Sequence, residues 1–416
     1  MAASDSCPTL LHLIAAVYRF WIYKRAVRRE RSIVDAYIKL VNTNAQLGPS
    51  EENLARQQDA LRDFGQAPRW PSAMRRAFCV VLAMVSVALP AWAQDIGEQR
   101  AWCLNKDRAF TADQSIGGCT AVIQAGKETP EHLAVAYNNR GHGHASKEQY
   151  DPAIADYDQA IRLNPGYAIA FYNRGIAFYN MRQIERALAD FDQAIRLNPK
   201  FVDAFNNRGV AYRAKGQNDR AIEDFDQTIR LNPTFAEAYN NRGTAYRAKG
   251  QDDRAIEDYD RALQLNPNYA APFNNRGNIY LLRGQFDRAI RDLDEAVRLK
   301  PNDAIALDNR CYARASAGAL AEALADCNEA LRLAPGHPAT LDSRGFTYLK
   351  MRQWPQAIAD YDAALKVDPR QAPSLFGRGV ARLRSGDVSG GNADIDAALA
   401  LDSTIAERLA RRGVVR

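Results

Sequence analysis

Two residue series in this chain recur so regularly that they must share a chemical task. Arginine stands at Arg140, Arg174, Arg208, Arg242, Arg276, Arg310, Arg344 and Arg378, and aspartate at Asp156, Asp190, Asp224, Asp258, Asp292, Asp326, Asp360 and Asp394, each series stepping by 34 residues. A guanidinium and a carboxylate can join through two parallel hydrogen bonds. The paired series therefore predict a structural ladder of Arg–Asp contacts, within a unit or across neighbours, with Arg208, Arg242, Arg276, Asp224, Asp258 and Asp292 at its centre. A third series, Asn139, Asn173, Asn207, Asn241, Asn275 and Asn309, keeps the same step before giving way to Ser343 and Gly377. Asn138, Asn206, Asn240 and Asn274 stand beside it. An amide both donates and accepts, so it can pair with a peptide group whatever side chain that group carries.

Other chemistry-bearing residues do not converge. The chain shows no nucleophile elbow, phosphate loop, zinc-spaced Cys/His set or haem motif. His142 and His144 lie near His132 in sequence, but residues two apart on a helix point to different faces. Gly141-His142-Gly143 falls within the repeating pattern and is not read as a phosphate turn. No catalytic residue, metal or cofactor is expected. The formal charge of +6 invites a nucleic-acid partner. Residues 1–93, however, hold 12 basic and 7 acidic residues, leaving 43 against 42 over residues 94–416. Nucleic acid is therefore not expected as a partner.

The elements that must position these series repeat with them. Counting each unit from Ala134, position 8 is Gly141, Gly175, Gly209, Gly243, Gly277, Gly345 and Gly379, with Cys311 in the missing place. Position 20 is alanine from Ala153 to Ala357, and position 32 is proline from Pro165 to Pro369. Position 4 is a large apolar residue, and position 24 is aromatic or apolar in seven of the eight units. Positions 4, 8 and 11 share one helical face, and positions 20, 24 and 27 share a face of a second helix. Proline at position 32 disfavours helix in the residue before it. No single unit buries its apolar face alone, so neighbours must stack.

Residues 134–405 resemble the tetratricopeptide repeat family over eight units. The resemblance implies an all-α fold, a right-handed superhelical solenoid of helix-turn-helix units whose first helices line the concave face. The unit at 372–405 is degenerate, with Gly391 and Ser403 at positions 20 and 32. Residues 406–416 read as a terminal capping helix, and residues 94–133 as an irregular starting unit. In the repeat frame Cys311 and Cys327 fall at positions 8 and 24, facing each other across a helix pair. Cys103 and Cys119, also 16 apart, can take the same two places in the starting unit. An oxidising compartment would make both pairs disulfides.

Residues 74–93 resemble a bacterial secretory signal peptide. Arg75-Arg76 precede the apolar run Phe78–Leu89, and Ala91-Trp92-Ala93 forms a small-x-small cleavage signature. Cys7 and Cys79 would be lost with it. Residues 1–73 read as an over-extended gene model or as a cytoplasmic extension; in the second case Phe78–Ala93 would be a short anchor. The expected location is periplasmic or secreted, with an inner-membrane anchored protein as the alternative. Membrane contact is expected only if the signal is not cleaved.

The family resemblance implies protein or peptide binding in the concave groove. The asparagine series is similar to the amide ladder in the repeat region of O-linked N-acetylglucosamine transferases. That similarity implies an extended peptide held by Asn139, Asn173, Asn207, Asn241, Asn275 and Asn309, with Asn206, Asn240 and Asn274 beside them. No transferase domain follows. Arg213 and Arg247, at position 12, could meet an acidic ligand. The expected function is a protein-interaction scaffold of the cell envelope. The alternatives are a membrane-tethered adaptor and an enzyme-associated or glycan-binding envelope protein, in which Tyr172, Tyr179 and Phe376 would stack on sugars.

Overall fold

A computed structural model of the chain describes residues 97–105 and 109–416. The signal-like segment 74–93, the preceding extension, Cys7 and Cys79 lie outside the described residues. Every regular element among the described residues is a helix. None of these helices is long and apolar enough to cross a membrane.

The chain divides at Pro165 into two compact units. The first holds α1 (residues 97–104), α2 (Ala112–Ala125), α3 (Pro130–Ser146) and α4 (Tyr150–Leu163). α1 ends at residue 104, and Asn105 turns the chain at φ 40°. Thr111 then opens α2 with a capping box: its side chain accepts from the Gln114 backbone N–H, and the Gln114 side chain accepts in return.

The second unit begins with four helix pairs. They are α5 (Ala168–Asn180) with α6 (Ile184–Leu197), α7 (Val202–Ala214) with α8 (Asn218–Leu231), α9 (Ala236–Ala248) with α10 (Asp252–Leu265), and α11 (Ala270–Leu282) with α12 (Phe286–Leu299). Three more follow: α13 (Ala304–Ala317) with α14 (Leu320–Leu333), α15 (Pro338–Lys350) with α16 (Trp354–Val367), and α17 (Ala372–Arg384) with α18 (Val388–Leu401). A short α19 (Ile405–Ala410) lies against α17 and α18 and closes the stack.

Sequence dictates each pair. A Cβ added at Gly243 would sit 2.8 Å from Cε1 of Tyr259, so position 8 must be glycine where position 24 is aromatic. The chain leaves each second helix in an extended conformation, as at Asn198 before Pro199 (φ −135°, ψ 91°). Within the second unit, successive first helices α5, α7, α9, α11, α13, α15 and α17 touch one another. Successive second helices make no comparable contact, so the first helices form the inner curve. This is the packing of a solenoid, in which each pair is stable only against its neighbours.

Candidate functional site

The arginine and aspartate series meet on adjoining faces of each helix pair. Arg242 on α9 gives its Nε to Asp258 Oδ2 at 2.9 Å and Nη2 to Oδ1 at 2.6 Å. The same two bonds join Arg208 to Asp224 at 2.9 and 2.7 Å, and Arg276 to Asp292 at 2.8 and 2.7 Å. They recur from Arg140–Asp156 to Arg378–Asp394. A further partner was not foreseen. Nη1 of Arg208, Arg242, Arg276, Arg310 and Arg378 reaches Asp192, Asp226, Asp260, Asp294 and Asp362 of the preceding pair. In the unit of Arg344, Asn328 takes that place at 2.9 Å. Each of these six arginines thus closes its own pair and ties it to the one before. Burial works to lower the Arg242 pKa, but hydrogen bonds to Asp258 and Asp226 outweigh it and leave the cation more firmly protonated than usual.

The asparagines lie on the inner curve and mostly bond to one another. In the second unit a rule holds from Asn207 onward. The position-6 amide donates to the position-5 side chain of the pair before it. Asn207 donates to the Tyr172 hydroxyl at 2.8 Å, Asn241 to Asn206 at 3.1 Å, Asn275 to Asn240 at 3.0 Å and Asn309 to Asn274 at 2.9 Å. Asn173 occupies the same place on α5 and also has partners. In the first unit Asn139 donates to the Cys103 carbonyl at 3.0 Å. Asn278 extends the row, donating to Asn309 at 3.1 Å and accepting from Arg247 at 2.6 Å. Arg213, its counterpart one unit earlier, has a buried Nε with no partner.

The row ends at Ser343, whose hydroxyl turns back to the Ala339 carbonyl at 3.1 Å. At Gly377 a Cβ would lie 2.4 Å from the Tyr361 hydroxyl, so no asparagine fits. Position 5 also changes character there, to Asp308 and Asp342. The Ser374 hydroxyl donates to Asp342 at 2.5 Å. One Asp308 oxygen, Oδ1, is buried without a hydrogen-bond partner.

Cys103–Cys119 and Cys311–Cys327 are disulfides, with Cα atoms 4.4 and 5.4 Å apart. Two of the three aromatic residues considered for sugar stacking are engaged elsewhere. Phe376 is buried in the core. Tyr172 packs 4.8 Å from the Phe201 ring and accepts from Asn207. Tyr179 is half-buried on α5. No group of His, Cys, Asp or Glu among the described residues is arranged to hold a metal.

Family profiles described as tetratricopeptide repeat match residues 168–201, 191–223, 236–269, 270–303 and 344–404. A profile described as TPR repeat matches residues 141–181 and 209–246. Together they span more than half of the chain. No curated protein matches. Among solved structures the chain is similar to YrrB, described as a TPR protein with an unusual peptide-binding site. The two are 25% identical over 45% of this chain and 95% of that one, with a TM-score of 0.37. It is 28% identical to MamA over 37% of this chain and 88% of that one, with a TM-score of 0.34. A tetratricopeptide repeat protein from Parabacteroides merdae is 19% identical over 60% and 98%, with a TM-score of 0.47.

Proposed function

The chain belongs to the tetratricopeptide repeat family and is a protein-interaction scaffold, and on that premise we propose that the inner curve of its second unit holds an extended protein segment. The observation that carries this reading is the linked amide row. Asn241 with Asn206, Asn275 with Asn240 and Asn309 with Asn274 form three bonded pairs across consecutive first helices. An amide has two N–H donors and a two-lone-pair acceptor, so the half-buried Asn274, Asn275 and Asn309 keep capacity for a ligand beyond their bonds to neighbours. The buried Asn206 and Asn240, which also donate to Glu237 and the Tyr269 hydroxyl, anchor the row. The neighbour bonds fix each amide in advance, which lowers the ordering cost of binding. One such hydrogen bond nets only about 0.5–1.5 kcal/mol, so useful affinity needs several in register. A row of this kind would read peptide backbone more than side chains. Arg213 and Arg247 would favour acidic residues in the segment.

The proposed location is the cell envelope. Two supports bear on it: the signal-like segment 74–93, and two disulfides, which persist in oxidising compartments. Sequencing the N-terminus of the native protein should give Gln94 as the first residue. A start at Met1 would favour the tethered alternative.

The binding reading is tested by replacing Asn207, Asn241 and Asn275 with Ala. Immobilised protein should lose the partners it retains from an envelope extract, while far-ultraviolet dichroism keeps its helical signature. Undiminished capture by a folded triple variant sinks the reading. If the triple variant melts early, the three single variants carry the test.

A further inference from the structure

The last stretch of the inner curve is not open. Gly413, at φ 83°, lies in the turn that follows α19, and the Val414 amide turns back to the Leu409 carbonyl at 3.0 Å. That turn buries Val414 at 4% exposure, while Gly413 and Val415 on either side stay exposed. It also carries Arg412 to α13, 100 residues earlier, where Nη1 donates to the Tyr312 hydroxyl at 2.7 Å. The guanidinium carbon lies 5.0 Å from the centre of the Tyr312 ring. Tyr312 holds position 9, the place that Asn278 takes one unit earlier in the amide row. The tail therefore rests on the continuation of the proposed groove.

What it rests on has a definite chemistry. Phe346, Phe376, Val380, Leu409 and Val414 belong to one buried apolar cluster, with Tyr312 packed against it. At position 9, Phe346 and Val380 are buried, whereas Ile176 and Val210 in the earlier units are only half-buried. The difference is the cover. Asp308 and Asp342 supply the negative charge at this end. Burial pushes the Asp342 carboxyl up to about 6; Ser374 opposes that, Asp308 adds to it, and Arg412 counters it. The buried, unpartnered Oδ1 of Asp308 marks acceptor capacity that the resident arginine does not use.

We propose that this stretch of inner curve is an arginine-reading docking groove, occupied in the resting chain by its own C-terminal segment, and that it accepts a partner segment of the same chemistry. That chemistry is an arginine, bonded to Tyr312 and attracted by the charge of Asp342, followed two residues later by a β-branched apolar residue that takes the place of Val414. The tail is then a built-in competitor that sets the concentration at which a partner enters. None of the amide-row asparagines contributes to this groove, so its fate is separate from that of the backbone-reading site.

The test uses the whole chain in three forms: unaltered, Arg412→Gln, and Arg412→Gln with Val414→Asp. The probe is a fluorescein-labelled hexapeptide of the chain's own ending, Arg-Arg-Gly-Val-Val-Arg, read by fluorescence anisotropy. The double variant should bind the probe at least tenfold more tightly than the unaltered chain, and the single variant should fall between. Adding Tyr312→Ala to the double variant should remove the gain. A peptide with Glu in place of its second arginine should not bind. Equal binding by unaltered and double-variant chains overturns the proposal, as does a gain that survives Tyr312→Ala. If the double variant loses its native helicity, Arg412→Gln, which removes no buried apolar group, carries the comparison.

Discussion

Arg242 and Asp258 face each other across a helix pair through two parallel hydrogen bonds, with the aspartate side chain 7% and the arginine 20% exposed. The third nitrogen of the arginine reaches Asp226 at 2.5 Å, where the carboxylate is 35% exposed. The two contacts should differ greatly in worth. Asp258→Ala leaves a largely buried guanidinium short of its main partner and should cost about 3–5 kcal/mol. Asp226→Ala should cost about 0–1 kcal/mol, because water replaces the lost partner. Chemical denaturation of both variants, with a double-mutant cycle through Arg242→Met, measures this. Equal costs, or no coupling between positions 242 and 258, would show that the ladder is ornamental.

The Cys311–Cys327 bridge stands where other units place a glycine against an aromatic ring. A Cβ at position 8 cannot coexist with a ring at position 24, as Gly243 and Tyr259 show. The bridge fills the same space and closes a loop of about 15 residues, worth on the order of 3 kcal/mol in the chain-entropy model. Reduction should therefore lower the denaturation midpoint. Cys327→Tyr alone should be severely destabilising, because the ring would meet the Cys311 Cβ. Cys311→Gly with Cys327→Tyr should recover most of the loss by restoring the pattern of the neighbouring units. A double variant no better than the single one would refute this exchange. Thiol titration of the denatured, unreduced protein should find no free sulfhydryl at residues 103, 119, 311 and 327.

How much of this was legible follows from what repeats. Gly243 against Tyr259, and the bend before each proline, recur in phase and could be placed from spacing alone. The Arg242–Asp258 contact follows from two series that recur together in all eight units. The contact to Asp226 was hidden, although its aspartate series is broken only by Asn328. Positions 23 and 25 look like one acidic pair in sequence, but two helical residues apart is about 200° of rotation, so one faces its own pair and the other the next. The amide row was visible as a series, but the Asn241–Asn206 bond was not. Whether neighbouring first helices bring positions 5 and 6 together depends on the angle between units, which no single-unit pattern contains. The Arg412–Tyr312 contact happens once and so leaves no periodic signal.

The turn inside each helix pair offers a test of local conformation. Position 15 is left-handed in all eight units, at Gly216, Gly250, Gly284, Gly318 and Gly386 but also at Glu148, Arg182 and Arg352. A non-glycine residue there costs roughly 1–2 kcal/mol. Part of that is offset because glycine gives the unfolded chain more freedom to lose. Arg182→Gly and Arg352→Gly should each stabilise the protein by about 0.5–1 kcal/mol, seen as a higher urea midpoint with an unchanged slope. A loss of stability would mean that these side chains make compensating contacts in the folded state.

Asp342 gives the stability a pH dependence of unusual sign. Its carboxyl rises from an ordinary 3.8 to about 6, because burial penalises the charged form, with Asp308 adding to the effect. Ser374 and Arg412 oppose the rise, while the Tyr312 and Tyr361 hydroxyls, themselves raised by burial, stay protonated across the range concerned. The folded state then holds its proton more tightly than the unfolded chain. This contribution is fully present below about pH 4 and is lost as pH rises through about 6. A displacement of that size corresponds to about 3 kcal/mol. Asp342→Asn keeps the shape and an acceptor for Ser374 but removes the charge. Its stability relative to the unaltered chain should improve by about 2–3 kcal/mol between pH 4 and pH 7, measured as the difference in urea unfolding free energy. The same variant should loosen the tail, because Arg412 loses a carboxylate, so trypsin should cleave after Arg412 faster than in the unaltered protein. A stability difference that is the same at both pH values would place Asp342 in contact with water, and unchanged cleavage would show that Tyr312 alone holds Arg412.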